Sequence, residues 1–279
     1  MSVIEGNLNN IKLVVIDIDG TLLIRADEIS EDNKSALIEL KKRGIAVSLC
    51  SGRATPAARS ILNQLNLDGY HIFFDGALVT NPKKQEHIYI KTVDRSLFEK
   101  AIDFARRTGI IMDLFSVTKC YMEQESWVAT IRREYFKVEP IITDFSHLPD
   151  NEVFIKGTLV VRTPEEKAGV EQFRQRFSKE FHLSLTRTPA YPDVDFVNVI
   201  APGVSKRTAL EALMAYLKVT PDQVMAVGDG PNDVQIIAAV GWGVAMGNAT
   251  PELKAAARYI TGDVDHDGLA EAIKKFVLE

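Results

Sequence analysis

The stretch Ile11-Lys12-Leu13-Val14-Val15-Ile16 runs straight into Asp17-Ile18-Asp19-Gly20-Thr21-Leu22, and this join decides the fold. Its first half is a short apolar run rich in β-branched residues, which suits a strand buried on both faces of a parallel sheet. Four further runs share the pattern: Ile45 to Cys50 (IAVSLC), His71 to Phe74 (HIFF), Val224 to Val227 (VMAV) and Trp242 to Met246 (WGVAM). Helical segments alternate with them. Ser30 is placed to cap EDNKSALIELKKR and Gly44 to stop it, while Thr250 and Pro251 head ELKAAAR. Strand, helix, strand, helix predicts an α/β fold with a doubly wound, Rossmann-like parallel sheet.

Between about residues 78 and 193 the character changes. ALVT and EHIYIK flank Asn81-Pro82 as a hairpin, DRSLFEKAIDFARR is helical, and IIMDLF pairs with KCYMEQ across Val117-Thr118. FIKGTLVVR, EEKAGVEQFRQRF, HLSLTR and FVNVI then read as strand, helix, strand, strand. This predicts an inserted α+β cap domain over residues 83–193, with residues 1–82 and 194–279 forming the core.

Composition narrows the function. Of 279 residues, 46% are hydrophobic and 25% charged, an ordinary globular balance that excludes a disordered or fibrous chain. The formal net charge of −5 argues against a nucleic-acid partner. No apolar run approaches the roughly 20 residues that span a bilayer. Cys50 and Cys120 stand far apart with no metal-type spacing, and the opening MSVIEGNLNNIK has no signal-peptide pattern, so a soluble cytoplasmic protein is expected.

Chemistry concentrates at strand ends. Ligands of open α/β sheets bind outside the carboxyl ends of the strands, where Asp17 and Asp19 would lie, one fit to attack and the other to move protons. Val227-Gly228-Asp229-Gly230-Pro231-Asn232-Asp233 places two more carboxylates after another strand, an oxygen-rich set suited to Mg²⁺. Ser51-Gly52-Arg53 follows IAVSLC and opens the next helix, where backbone N–H groups can hold a phosphate. Lys206, just ahead of an amphipathic helix, can add a point charge.

Other motifs fall short. Asp263-Val264-Asp265-His266-Asp267-Gly268 begins like a calcium loop, but Lys274 stands where a bidentate Glu is required. Gly241-Trp242-Gly243-Val244-Ala245-Met246 lacks the third glycine of a dinucleotide fingerprint, and His71, His87, His147, His182 and His266 are scattered.

The order D-x-D-G-T, S-G-R, Lys, G-D-G-x-N-D resembles the haloacid dehalogenase-like superfamily, specifically its Cof-type sugar-phosphate phosphatases. The resemblance covers nearly the whole chain. It implies that Asp17 is the nucleophile that becomes an aspartyl phosphate. Asp19 would be the general acid/base, with its main-chain carbonyl on Mg²⁺. Ser51, Gly52, Lys206 and Asn232 would bind the phosphoryl group. Asp17, Asp19, Asp229 and Asp233 would form the metal set, and Asn248 would sit at the edge. Two departures stand out: Ser51 replaces the usual Thr, and Asp75-Gly76-Ala77 replaces the usual N-G-A. The resemblance implies a small phosphorylated metabolite as substrate, a sugar phosphate in chemistry, acted on by a monomer or homodimer. Related phosphomutases share these motifs. A non-catalytic phosphometabolite binder on the same scaffold is a further alternative, against which intact Asp17, Asp19, Lys206 and Asp229 argue, since a pure binder needs no nucleophile. The insertion would act as a lid hinged near Asn81-Pro82 and Pro192, with Tyr121, Trp127, Arg132 and Arg133 as candidates for substrate contact or core packing.

Overall fold

A computed structural model describes residues 10–24, 28–188 and 190–278. In chain order, β1 (Leu13–Ile16), α1 (Glu31–Lys42), β2 (Ala46–Leu49), α2 (Thr55–Gln64), β3 (His71–Phe73), β4 (Leu78–Asn81) and β5 (Glu86–Ile90) come first. The insertion follows as α3 (Arg95–Thr108), β6 (Ile111–Phe115), β7 (Cys120–Met122), α4 (Trp127–Glu134), β8 (Pro140–Ile142), β9 (Lys156–Val161), α5 (Pro164–Phe177), β10 (His182–Thr188) and β11 (Tyr191–Ile200). The chain closes with α6 (Lys206–Leu217), β12 (Val224–Gly228), α7 (Val234–Ile237), β13 (Trp242–Ala245), α8 (Pro251–Ala256), β14 (Tyr259–Ile260) and α9 (Gly268–Ile273).

Two compact units emerge. The first holds the described residues of Met1–Gly52, Arg59–Tyr89 and Ser205–Glu279; the second holds Arg53–Ala58 and Ile90–Val204. The core sheet of the first unit is parallel throughout, in the order β14-β13-β12-β1-β2. From β1 the chain moves one way to β2, and from β12 it moves the other way to β13 and β14. The switch point therefore lies between β1 and β12, where an open α/β sheet leaves its crevice. Burial explains the strand sequences: every residue of β1 and β12 is buried, which suits apolar side chains on both faces. The expected caps form, with Ser30 accepting from Asn33 N–H ahead of α1 and Thr250 from Leu253 N–H ahead of α8.

HIFF departs from its expected place. β3 is antiparallel to β4 in a separate β3-β4-β5 sheet, and an isolated parallel bridge from Cys50, just past β2, to Ile72 is what ties its backbone to the core sheet's edge. A buried apolar run carries no information on which neighbour pairs with it, and the hairpin next in sequence wins. That same hairpin moves the unit boundary, because residues 83–89 stay with the first unit rather than with the insertion. At the other end β11 continues unbroken to Ile200 beside β9, so residues 194–204 belong to the second unit. Pro192 is accordingly the second residue of β11, inside the second unit. It lies in the stretch where the β10–β11 register shifts, and beyond the β9 pairing, so its missing N–H leaves no ladder bond unmade.

The second unit carries a six-stranded sheet, β10-β11-β9-β6-β7-β8, antiparallel except for β7 against β8. α3 and α5 are joined by an edge-to-face contact of Phe104 and Phe173, with ring centroids 5.5 Å apart. Among the described residues no helix is long and apolar enough to cross a membrane.

His71 ties β3 to β2. Its Nδ1 accepts from Leu49 N–H at 3.1 Å, which fixes the proton on Nε2, and burial pushes the imidazole down to about 4. The folded state resists protonation that the unfolded chain accepts near pH 6.5. Stability is thus present above pH 6.5 and lost as pH falls towards 4, by about 3 kcal/mol from this group. Urea unfolding at pH 7.5, 6 and 4.5 should show an acid loss in the wild type that is shallower by that amount in His71→Asn. Parallel pH profiles for the two proteins would contradict it.

Candidate active site

The loop after β1 is built to aim carboxylates at the switch point. Asp17 N–H donates to Val227 O at 3.0 Å, which holds Asp17 against the end of β12. The chain then turns back, with Leu22 and Leu23 N–H both donating to Ile18 O. Gly20 suits this turn with φ +85°, a backbone that a side chain would strain, and a Cβ there would crowd the Asp229 carboxylate. Asn248 fastens the turn from outside, donating to Gly20 O at 2.9 Å while its Oδ1 accepts from Val264 N–H.

At the centre is a buried ion triad. Lys206, the first residue of α6, is 2% exposed, and its Nζ lies 2.5 Å from Asp17 Oδ1 and 2.7 Å from Asp233 Oδ1. Ser205 caps the helix by accepting from Thr208 N–H, so Lys206 leaves from a fixed first turn. Asp233 is fully engaged: its Oδ2 accepts from Asp229 N–H at 3.2 Å and Gly230 N–H at 3.1 Å, closing the turn after β12. Asp229 is half-buried and accepts from Thr21 Oγ1 at 2.9 Å. Carboxylate oxygens of Asp17, Asp229 and Asp233 all lie within 4.8 Å of one another.

The electrostatics follow from burial. Desolvation pushes the Asp17 carboxyl well above the usual range, and Lys206 only partly offsets it. Burial works against the Lys206 ammonium, but Asp17 and Asp233 outweigh it and hold its pKa well above the ordinary value. Desolvation also lifts Asp229 to about 6, against the hydrogen bond from Thr21. Three carboxylates face one ammonium. The cluster is therefore short of positive charge, and a hard divalent cation matches both the deficit and the all-oxygen donors.

The remaining candidates are spread around this centre. Ser51 is buried after β2, its N–H donating to Ile72 O, and α2 begins only at Thr55, so Ser51 and Gly52 lie in the connection and not in a helix. Asp19 is exposed and contributes no carboxylate to the cluster of three. Asn232 is exposed on the turn, its amide folded back over Gly230. In the insertion, Arg132 is buried against Asp113, Arg133 pairs with Glu125 and Glu139, and Tyr121 donates to Glu152, so all three have partners within their own unit. The Arg162 guanidinium lies over the Trp127 ring. Thr21 is the site residue that motif reading passed over, although a hydroxyl directly after Asp19-Gly20 was the available signal.

Over residues 14–273 the chain matches the model of the haloacid dehalogenase-like hydrolases, and it belongs to that family. It is an enzyme of the phosphoric monoester hydrolase type within it. A Streptococcus pyogenes protein with a provisional phosphatase name is 30% identical over 96% of this chain and 99% of its own length. The Bacillus subtilis 5-amino-6-(5-phospho-D-ribitylamino)uracil phosphatase is 29% identical over 96% of this chain and 97% of its own. Among solved structures, a haloacid dehalogenase-like hydrolase from Bacteroides thetaiotaomicron superposes with a TM-score of 0.85. Its sequence is 28% identical over 95% of this chain and 99% of that one.

Lys206→Met tests the triad. Removing the ammonium leaves Asp17 and Asp233 facing each other without a counter-charge. Unfolding in EDTA at pH 7.5 should show a loss of roughly 3–5 kcal/mol. The loss should shrink at pH 5, where the carboxyls take up protons instead. An equal loss at both pH values would mean that the triad does not carry the effect.

Proposed function

We propose that this enzyme is a Mg²⁺-dependent phosphatase of small phosphorylated metabolites, sugar and polyol phosphates foremost, working through an aspartyl phosphate on Asp17. The observation that carries this reading is the buried Lys206–Asp17 contact at the β1/β12 switch point, beside two further carboxylates. A purely structural ion pair would need one carboxylate for one ammonium. The excess of negative charge supports a site completed by a cation and an anionic substrate.

With Asp233 saturated by Lys206 and two backbone N–H groups, Asp17 and Asp229 are the carboxylates that would hold Mg²⁺, joined by the main-chain carbonyl of Asp19. Bound there, the ion would act as a Lewis acid on the phosphoryl oxygens. Lys206 orients the Asp17 carboxylate for in-line attack and offsets charge on the transferring group. Asp19, exposed at the mouth of the loop, is suited to give a proton to the leaving oxygen. It would then take one from the water that hydrolyses the aspartyl phosphate. Ser51, Gly52 and Asn232 would bind the phosphoryl oxygens. The ribityl phosphate in the name of the Bacillus subtilis relative supports a polyol phosphate as substrate class.

Asp17→Asn should fold, yet lose at least three orders of magnitude in kcat/KM on p-nitrophenyl phosphate. EDTA should abolish wild-type turnover and Mg²⁺ restore it. If the Asn variant retains a tenth of wild-type activity, or turnover survives EDTA, the mechanism is wrong. Incubation with a hexose phosphate should release free phosphate; an isomerised sugar without phosphate release would mark a mutase.

A further inference from the structure

Three consecutive residues after β3 adopt the left-handed backbone: Phe74 at φ 55°, Asp75 at φ 56° and Gly76 at φ 99°. Glycine takes this region freely, but a buried phenylalanine and an aspartate are strained there and need their surroundings to hold them. The surrounding structure imposes it. A Cβ on Gly76 would lie 2.2 Å from Ser205 O and 2.7 Å from Lys206 N, so the turn is pressed against the head of the helix that bears Lys206. On its other side Asp75 N–H donates to Ser51 O at 3.3 Å. A Cβ on Gly52 would meet Asp75 Oδ1 at 2.6 Å, which places the half-buried carboxylate directly on the Ser51–Gly52 connection. Cys50 reports the same neighbourhood: burial pushes its thiol up, Lys206 opposes, and the charges of Asp233, Asp17 and Asp75 add to the rise.

We infer that Asp75 is a specificity residue, a fixed acceptor at the rim of the phosphate-binding connection that admits leaving groups bearing hydroxyls or amines and rejects those bearing a second anion. The inference rests on the phosphatase reading above, which puts the phosphoryl group at Ser51 and Gly52. An ionised carboxylate offers only acceptor oxygens, so a leaving-group hydroxyl can bond to it. A carboxylate or second phosphate at that distance meets a like charge in a partly desolvated rim. The substrate class then narrows to monophosphates of neutral or cationic polyols and amines, excluding bisphosphates and phosphorylated acids.

Glycerol 3-phosphate and 3-phosphoglycerate are a matched pair of probes, differing in a hydroxymethyl against a carboxylate. Their dissociation constants can be measured calorimetrically with Mg²⁺ in the Asp17→Asn background, which blocks turnover. With Asp75 present, glycerol 3-phosphate should bind at least roughly fivefold tighter. Adding Asp75→Asn, which keeps the side-chain shape and tolerates the left-handed backbone, should bring the two within about twofold. Adding Asp75→Gly, which relieves the strain as well, should do the same, assigning the effect to charge and not to backbone geometry. A ratio unchanged by either substitution, or no preference with Asp75 in place, would overturn the inference. Retained activity of Asp17→Asn alone would instead overturn the phosphatase reading.

Discussion

One buried ammonium holds this site together. Lys206 lies between Asp17 and Asp233, groups that reach it from the ends of two different strands, and none of the three is more than 7% exposed. Burying a carboxylate without a partner costs several kcal/mol, so each of these groups is tolerable only in the company of the others. The neighbouring backbone conforms to that need. Gly20 lets Asp229 approach the β1 loop, Gly76 lets the turn after β3 lie against the head of α6, and Gly228 lies under Asp233 Oδ2.

The strand order makes such a meeting possible. β1 and β12 are neighbours in space although more than two hundred residues apart in sequence, because the chain leaves the core sheet after β2 and returns to it at β12 only after the β3-β4-β5 sheet and an entire second unit. The whole insertion fits between β5 and α6 without disturbing the core sheet. Asp17 and Asp233, the carboxylates paired with Lys206, come from the first unit and follow β1 and β12 of its parallel sheet.

Much of this was legible in the sequence where a local pattern suffices. The five apolar runs are all strands, and the caps at Ser30 and Thr250 form as their side chains require. The aspartates of D-I-D-G-T and G-D-G-P-N-D stand at strand ends because the runs before them are strands. What was not legible depends on distance. Lys206 alone, at the head of a helix, reads as a surface lysine; its burial depends on partners 189 and 27 positions away. The antiparallel pairing of β3 and the continuation of β11 to Ile200 are choices between neighbours that composition does not mark. Three left-handed residues at 74–76 were equally hidden, since only Gly76 announces such a backbone by its identity.

One measurement reaches the proposed role of Asp17, the residue whose carboxylate would carry the phosphate, directly. Wild-type enzyme mixed with Mg²⁺ and p-nitrophenyl phosphate, quenched in acid within the first turnover, can be reduced with borohydride, which converts an aspartyl phosphate to homoserine. Peptide mass spectrometry should then find homoserine at position 17 and aspartate at 19, 229 and 233. Homoserine at another position, or at none while phosphate is released in the same time, would contradict the central claim.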